Sequence, residues 1–294
     1  MSGEMQNIQW YPGHMTKTRR QIQSSLKLID AVAEIIDARI PHASRNPDLP
    51  EMTEGKPRIV LLNKCDMADK AVTDEWIRYY SRLGIKALPI DCRSGTGLNG
   101  FVPAVKDILS ERLERLKAKG MAGMELRVMV VGIPNVGKSS FINRMARTVK
   151  AKVEDRPGVT RSNQWFSIAG GIVLLDTPGV LWPKFDDKKV GERLAFTGAI
   201  RDNILDIESL AVRFIETLPE KYMPRLIERF KLGNIDGLES YEVLELIGRK
   251  RGMLISGGDI DTERAAIALL DEFRGAKIGR ITLEQPPERK NGDE

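Results

Sequence analysis

Short motifs carry the chemistry of this sequence. Gly132-Ile133-Pro134-Asn135-Val136-Gly137-Lys138-Ser139-Ser140 has the spacing GxxxxGK[ST]. In that pattern the glycines let the backbone wrap a phosphate, successive N–H groups and a helix N-terminus present partial positive charge, and Lys138 adds a full one. Asn135, Val136, Gly137, Lys138, Ser139 and Ser140 are the expected phosphate contacts, with the Ser139 hydroxyl as a ligand for Mg²⁺. Asn63-Lys64-Cys65-Asp66 fits NKxD. A carboxylate at Asp66 accepts the ring N–H and the exocyclic amino group of guanine, whereas adenine offers neither donor there, and such a polar mismatch discriminates strongly. Asn63 then braces the loop, and the stem of Lys64 packs beside the base.

Asp176-Thr177-Pro178-Gly179 fits DxxG, a pattern expected about once by chance in a chain of this length. Its place at the end of an apolar run, downstream of Lys138, is what makes it useful. There Asp176 would hold Mg²⁺ through water and the Gly179 N–H would meet the γ-phosphate of a nucleoside triphosphate. Between the two motifs, Pro157-Gly158-Val159-Thr160 offers Thr160 as the hydroxyl that closes over Mg²⁺ and γ-phosphate. A Pro-Gly turn accounts for the first two of these residues without any ligand.

These loops need a frame. Apolar runs of strand length occupy 32–36, 58–62, 87–90, 126–131 and 172–175, with helical periodicity over 73–83, 102–119 and 139–146 between several of them. The alternation predicts an α/β fold with a mainly parallel sheet covered by helices. A basic amphipathic helix is expected over 16–33. Beyond Trp182 helical patterns dominate, over 204–216, 223–230, 241–248 and 262–274, so the expected domains are 1–184 for the nucleotide, 185–285 as a smaller all-helical C-terminal domain, and 286–294 as a disordered tail. In the usual order the phosphate-binding loop comes first and NKxD last. Here NKxD precedes it, so the reading is a circularly permuted P-loop fold, rejoined through 102–119.

Composition excludes other classes. The chain has 294 residues, 41% hydrophobic and 30% charged, which is ordinary for a globular protein. No run of about eighteen apolar residues offers a membrane span. Met1 to Trp10 lacks the apolar core of a secretory signal, so a cytoplasmic location is expected. Cys65, Cys92, His14 and His42 have no zinc-ligand spacing. The formal net charge of +5 is a mild bias toward polyanions.

The chain resembles the circularly permuted bacterial ribosome biogenesis GTPase A family over nearly its whole length. The resemblance rests on Trp10-Tyr11-Pro12-Gly13-His14-Met15, Asp37-Ala38-Arg39-Ile40-Pro41, Ser44-Arg45-Asn46-Pro47, the NKCD, GIPNVGKSS, PGVT and DTPG segments, and Trp182-Pro183-Lys184-Phe185. It implies hydrolysis of GTP to GDP, work on the large ribosomal subunit and its ribosomal RNA without membrane or DNA, a monomer, and an RNA-binding helical domain. The glutamine that orients water in Ras-like proteins is replaced by Val180, which cannot hydrogen-bond water. The resemblance gives His14 as the substitute, although a lone histidine beside Pro-Gly also reads as a turn residue or an RNA contact. It also makes stimulation by K⁺ at Asn135 an expectation. The base-backing loop is Asp91-Cys92-Arg93-Ser94, with Cys92 where serine is common.

Basic residues of the helical domain, Lys221, Arg225, Arg229, Lys231 and Arg249-Lys250-Arg251, are candidate phosphate contacts, although a solvated helix face accounts for them equally. A regulatory switch on a protein partner and an ATP-dependent kinase are the alternatives, the latter requiring Asp66 to be incidental. Excess ATP is expected to leave a bound fluorescent guanine nucleotide in place while GTP displaces it; displacement by ATP at equal concentration would restore the kinase reading.

Overall fold

The computed structural model describes residues 24–121, 123–147, 153–154, 164–177, 187–200, 202 and 206–288. Among these the chain forms two compact units, the first from the described residues of 24–177 with 284–288, the second from those of 187–283. The helical domain is expected over 185–285; the second unit ends at Leu283, and Glu284 is buried and belongs to the first. Of 286–294, the described residues 286–288 lie in no helix or strand.

The first unit is built on strands β1 (Ala31–Asp37), β2 (Arg58–Asn63), β3 (Lys86–Pro89), β4 (Leu126–Val131), β5 (Val153–Glu154), β6 (Trp165–Ile168) and β7 (Ile172–Asp176). They make one seven-stranded sheet in the order β3-β2-β1-β4-β7-β6-β5. The first five in that order are parallel neighbours, and β6 and β5 close the edge antiparallel. Every residue of β1 is buried, as a central parallel strand covered on both faces requires.

Helices α1 (Leu49–Met52), α2 (Lys70–Arg82), α3 (Phe101–Ile108), α4 (Ser110–Ala118) and α5 (Lys138–Arg147) supply the covering layers. Asp69 caps α2 by accepting from the Ala71 N–H. Trp76 and Tyr80 of that helix pack with Val60, Leu62 and Ala87 of the strands. Phe101 opens α3 and meets Phe141 of α5 edge to face, with centroids 5.0 Å apart. The periodicity over 102–119 resolves into two helices that break at Leu109.

The helix expected over 16–33 is corrected where the structure describes it. Leu26–Leu28 is a 3₁₀ turn, Ile29 is extended, and β1 begins at Ala31. Two strand neighbours recruit the apolar run at 31–36, and ladder pairing on both sides outweighs a 3.6-residue pattern that the same side chains also satisfy.

The second unit contains α6 (Lys188–Phe196), α7 (Ile207–Thr217), α8 (Met223–Phe230), α9 (Ser240–Lys250) and α10 (Thr262–Arg274). Asp206 and Asp261 cap α7 and α10. Phe196, Phe214 and Phe273 stack in sequence at its centre. Glu272 accepts from Arg229 and from Arg251, at 2.7 and 2.8 Å, so two of the candidate phosphate contacts are held by an acid of their own unit. Arg225 donates to the Arg280 carbonyl and lies over the Tyr222 ring. Lys231, Arg249 and Lys250 are exposed.

Phe141 is fully buried between the phosphate-loop helix and α3. Phe141→Ala is expected to remove about 3–5 kcal/mol of unfolding free energy, read by denaturant titration. A loss below about 1 kcal/mol would show that α5 does not depend on this contact.

Candidate guanine-nucleotide site

The motif loops emerge side by side at the carboxyl ends of parallel strands, the edge where open α/β sheets bind ligands. β4 leads into Gly132–Lys138, β2 into Asn63–Asp66, β3 into Asp91–Ser94 and β7 ends at Asp176. Lys138, Ser139 and Ser140 form the first turn of α5, at the positive end of a helix, and both serines are exposed.

Asn63 ties three loops together. Its Nδ2 donates to the Val136 carbonyl at 2.7 Å, and its Oδ1 accepts from the Cys92 N–H at 3.0 Å. Gly137 passes so close that a Cβ there would sit 2.3 Å from Asn63 Nδ2, and its φ of +102° is unfavourable for any side chain. Lys64 adopts φ 62°, and its ammonium donates to Asp37 Oδ2 at 2.9 Å and to the Asn135 carbonyl at 3.1 Å. Asn135 also has positive φ, which aims that carbonyl back at the lysine.

Among the described residues three carboxylate oxygens are buried with no hydrogen-bond partner, Glu34 Oε1 on β1 and, at the motif loops, Asp66 Oδ1 and Asp176 Oδ1. A buried acceptor without a donor is costly, so each oxygen at the motif loops is suited to a ligand that brings one. Guanine would bring N–H groups to Asp66, a Mg²⁺-bound water would bring O–H to Asp176, and with the Ser139 hydroxyl at the start of α5 these oxygens fit the all-oxygen donor set that Mg²⁺ takes. Burial raises the Asp176 carboxyl above its ordinary range, opposed by the Lys138 charge, while burial lowers Lys138. The two groups are mutually sensed across the place where a phosphate and its cation belong. Thr177, next in the chain, anchors β7 to β4 by donating from Oγ1 to the Val130 carbonyl at 2.7 Å.

The base-backing loop is built differently from its sequence analogy. The Cys92 side chain is buried, and burial pushes its thiol up to about 12, so it is a protonated packing group. Its backbone N–H is spent on Asn63. Asp91 shapes the loop by accepting from the N–H groups of Arg93 and Ser94, at 2.7 and 3.0 Å. Arg144 of α5 donates to the Arg93 and Ser94 carbonyls, tying the base loop to the phosphate-loop helix. Asp91 lies in the loop that the sequence already pointed to, though without a role there, and nothing local marks Arg144. His14, Thr160, Gly179 and Val180 lie outside the described residues. A cavity of about 430 Å³ opens instead among Ile29, Lys56, Arg112 and Lys119, and no motif residue lines it.

A parallel sheet with a phosphate loop on its middle strand, a guanine-type loop two strands away, and the second loop earlier in the chain than the first define a circularly permuted P-loop GTPase. A family model described as "50S ribosome-binding GTPase" matches residues 127–226. The chain is 48% identical to ribosome biogenesis GTPase A of Priestia megaterium, covering 96% of this chain and 98% of that protein. It is 34% identical to the protein of the same name from Thermotoga maritima, covering 95% of each. Among solved structures, GNP-bound YlqF from T. maritima superposes with a TM-score of 0.62 at 27% identity, covering 93% of this chain and 100% of that one. A GDP-bound YlqF superposes with 0.65 at 28% identity, covering 91% and 99%. The chain belongs to the ribosome biogenesis GTPase A family.

The charge cluster behind Lys64 gives a pH prediction. Asp37, 3% exposed, is held by Arg39 through Oδ1 and Oδ2 at 2.9 and 2.7 Å and by Lys64 at 2.9 Å. Burial alone would raise its carboxyl; the Arg39 and Lys64 charges and hydrogen bonds outweigh it and leave the group well below the usual carboxylate range. A folded pKa below the unfolded one contributes stability that is complete above the ordinary value of about 3.9 and is lost as pH falls through the folded value. Asp37→Asn should therefore cost about 3–5 kcal/mol at pH 6, by urea unfolding, with the gap to wild type narrowing only below pH about 3.9. A gap that is already small at pH 6 would contradict this.

Proposed function

We propose that this chain hydrolyses GTP while bound to an assembling large ribosomal subunit. The orphaned carboxylate oxygens at the motif loops, Asp66 Oδ1 for the base and Asp176 Oδ1 for a hydrated cation, carry the nucleotide part of that reading. The names of the relatives, ribosome biogenesis GTPase A, support the ribosome part.

In this mechanism Asp66 selects guanine, Asn63 keeps the base loop against the phosphate loop, and the Lys64 stem flanks the base. The N–H groups of Asn135 to Ser140 and the Lys138 ammonium bind the β- and γ-phosphates. Mg²⁺, when bound, neutralises charge that develops on the phosphate oxygens; Ser139, Thr160 and, through water, Asp176 would hold it. The Gly179 N–H senses the γ-phosphate. Asn135 is the residue at which K⁺ would add a further positive charge. With Val180 unable to orient water, His14 takes that role once the subunit has arranged the N-terminal segment. Ribosomal RNA is met by the helical unit through Lys231, Arg249 and Lys250, which are exposed, whereas Arg229 and Arg251 of the same basic set are paired with Glu272.

The test is steady-state GTP hydrolysis in potassium buffer with and without purified large subunits, using Lys138→Ala as background. Wild type should be stimulated by the subunit, and His14→Ala should lose most of the stimulation, about a hundredfold for a group that orients or activates water, while still sedimenting with the subunit. A rate indifferent to the subunit would remove the ribosome as activator and favour a switch acting on a protein partner.

A further inference from the structure

A turn outside the nucleotide motifs links the far end of the chain to the guanine loop. After β1 the chain turns through 38–44, buried at every residue except His42. Buried backbone N–H groups need acceptors. The N–H groups of His42 and Ala43 donate to the carboxylate of Glu284, at 2.5 and 3.1 Å, across more than two hundred and forty residues of sequence. The Glu284 carbonyl accepts from Trp76 Nε1 at 3.1 Å, so main chain and side chain are both fixed, and the residue is 4% exposed. A carboxylate satisfied by backbone N–H groups forms charge-assisted bonds, stronger than neutral ones. Glu284 is also the residue at which the chain, having left the helical unit at Leu283, re-enters the nucleotide-binding unit.

From the turn the contacts continue without a gap. Ser44 follows Ala43, and its hydroxyl accepts from the Asp37 N–H at 2.9 Å while donating to the Ile40 carbonyl at 2.7 Å. The Asp37 carboxylate holds the Lys64 ammonium at 2.9 Å, and that ammonium reaches the Asn135 carbonyl of the phosphate loop. We propose that Glu284 is a positioning residue for the bound guanine nucleotide: by bonding His42 and Ala43 it sets the turn that places Asp37, and through Asp37 it sets Lys64. This rests on the reading of Lys64 and Asp66 as the guanine loop. A pull on the segment after Leu283 is then felt at Lys64, and nucleotide residence time is the quantity that changes.

The experiment measures release of a fluorescent GDP analogue from the full chain for wild type, Glu284→Gln, Lys64→Met and the double variant. Glutamine removes the charge and turns an amide NH₂ toward backbone donors, so Glu284→Gln should speed release about fivefold or more. Lys64→Met should also speed it, and the double variant should be no faster than Lys64→Met alone, because the effect of Glu284 passes through that lysine. Thermal unfolding reports whether each variant is folded. If Glu284→Gln does not fold, Trp76→Phe, which removes only the donor to the Glu284 carbonyl and part of the ring, goes through the same cycle with the same expectation. Unchanged release from a folded Glu284→Gln protein, or effects that multiply in the double variant, would overturn the positioning role and leave the site reading intact. Unchanged release from Lys64→Met would overturn the site reading, and this inference with it.

Discussion

The carboxamide of Asn63 is the piece on which the nucleotide site hangs. One end donates to the Val136 carbonyl of the phosphate loop and the other accepts from the Cys92 N–H of the base-backing loop. These loops come from strands that are separate in the chain and brought together only by the sheet order. A carboxamide suits the place because it donates and accepts at once, and the absence of a side chain at Gly137 lets it approach. The guanine-type loop that holds Asp66 and the phosphate loop that holds Lys138 are thereby held side by side from different strands.

The permuted chain order leaves that geometry alone because ladder pairing depends on neighbours in space. β1 lies between β2 and β4, and β4 between β1 and β7, so the strands that carry the three motifs lie within a span of four adjacent strands. What permutation does change is the routing. In sequence the helical unit follows the DTPG motif, and the chain re-enters the first unit at Glu284.

Charge is buried in two styles. Around Asp37 the carboxylate is fully matched by Arg39 and Lys64, and in the helical unit Glu272 is matched by Arg229 and Arg251, so these clusters stabilise structure and leave nothing for a ligand. Asp66 and Asp176 are the other style, each with an oxygen shielded from water and given no donor, and Glu34 combines the two, with Oε2 held by Arg45 and Oε1 left without a partner. An unpartnered buried oxygen costs free energy until a donor reaches it.

The motifs, the alternation of strands and helices, and the permuted order were legible in consecutive residues, because phosphate loops, caps and strand runs are specified by local backbone conformation and short spacing. The helices Met223–Phe230 and Thr262–Arg274 and the strand Leu126–Val131 fall where their periodicity puts them. The end of the helix expected over 16–33 did not, since the side chains at 26–33 satisfy a helical pattern and only pairing with β2 and β4 makes the chain extended from Ala31. Trp165–Ile168 is too short and too mixed to announce itself and becomes a strand by pairing with β7. Glu284 beneath the turn after β1, Arg144 on the base loop, and Arg229 and Arg251 on Glu272 join residues from 21 to 242 apart in the chain. Residue type said that each was charged; only the packed chain decided whether that charge faces a ligand, a backbone amide or an opposite charge.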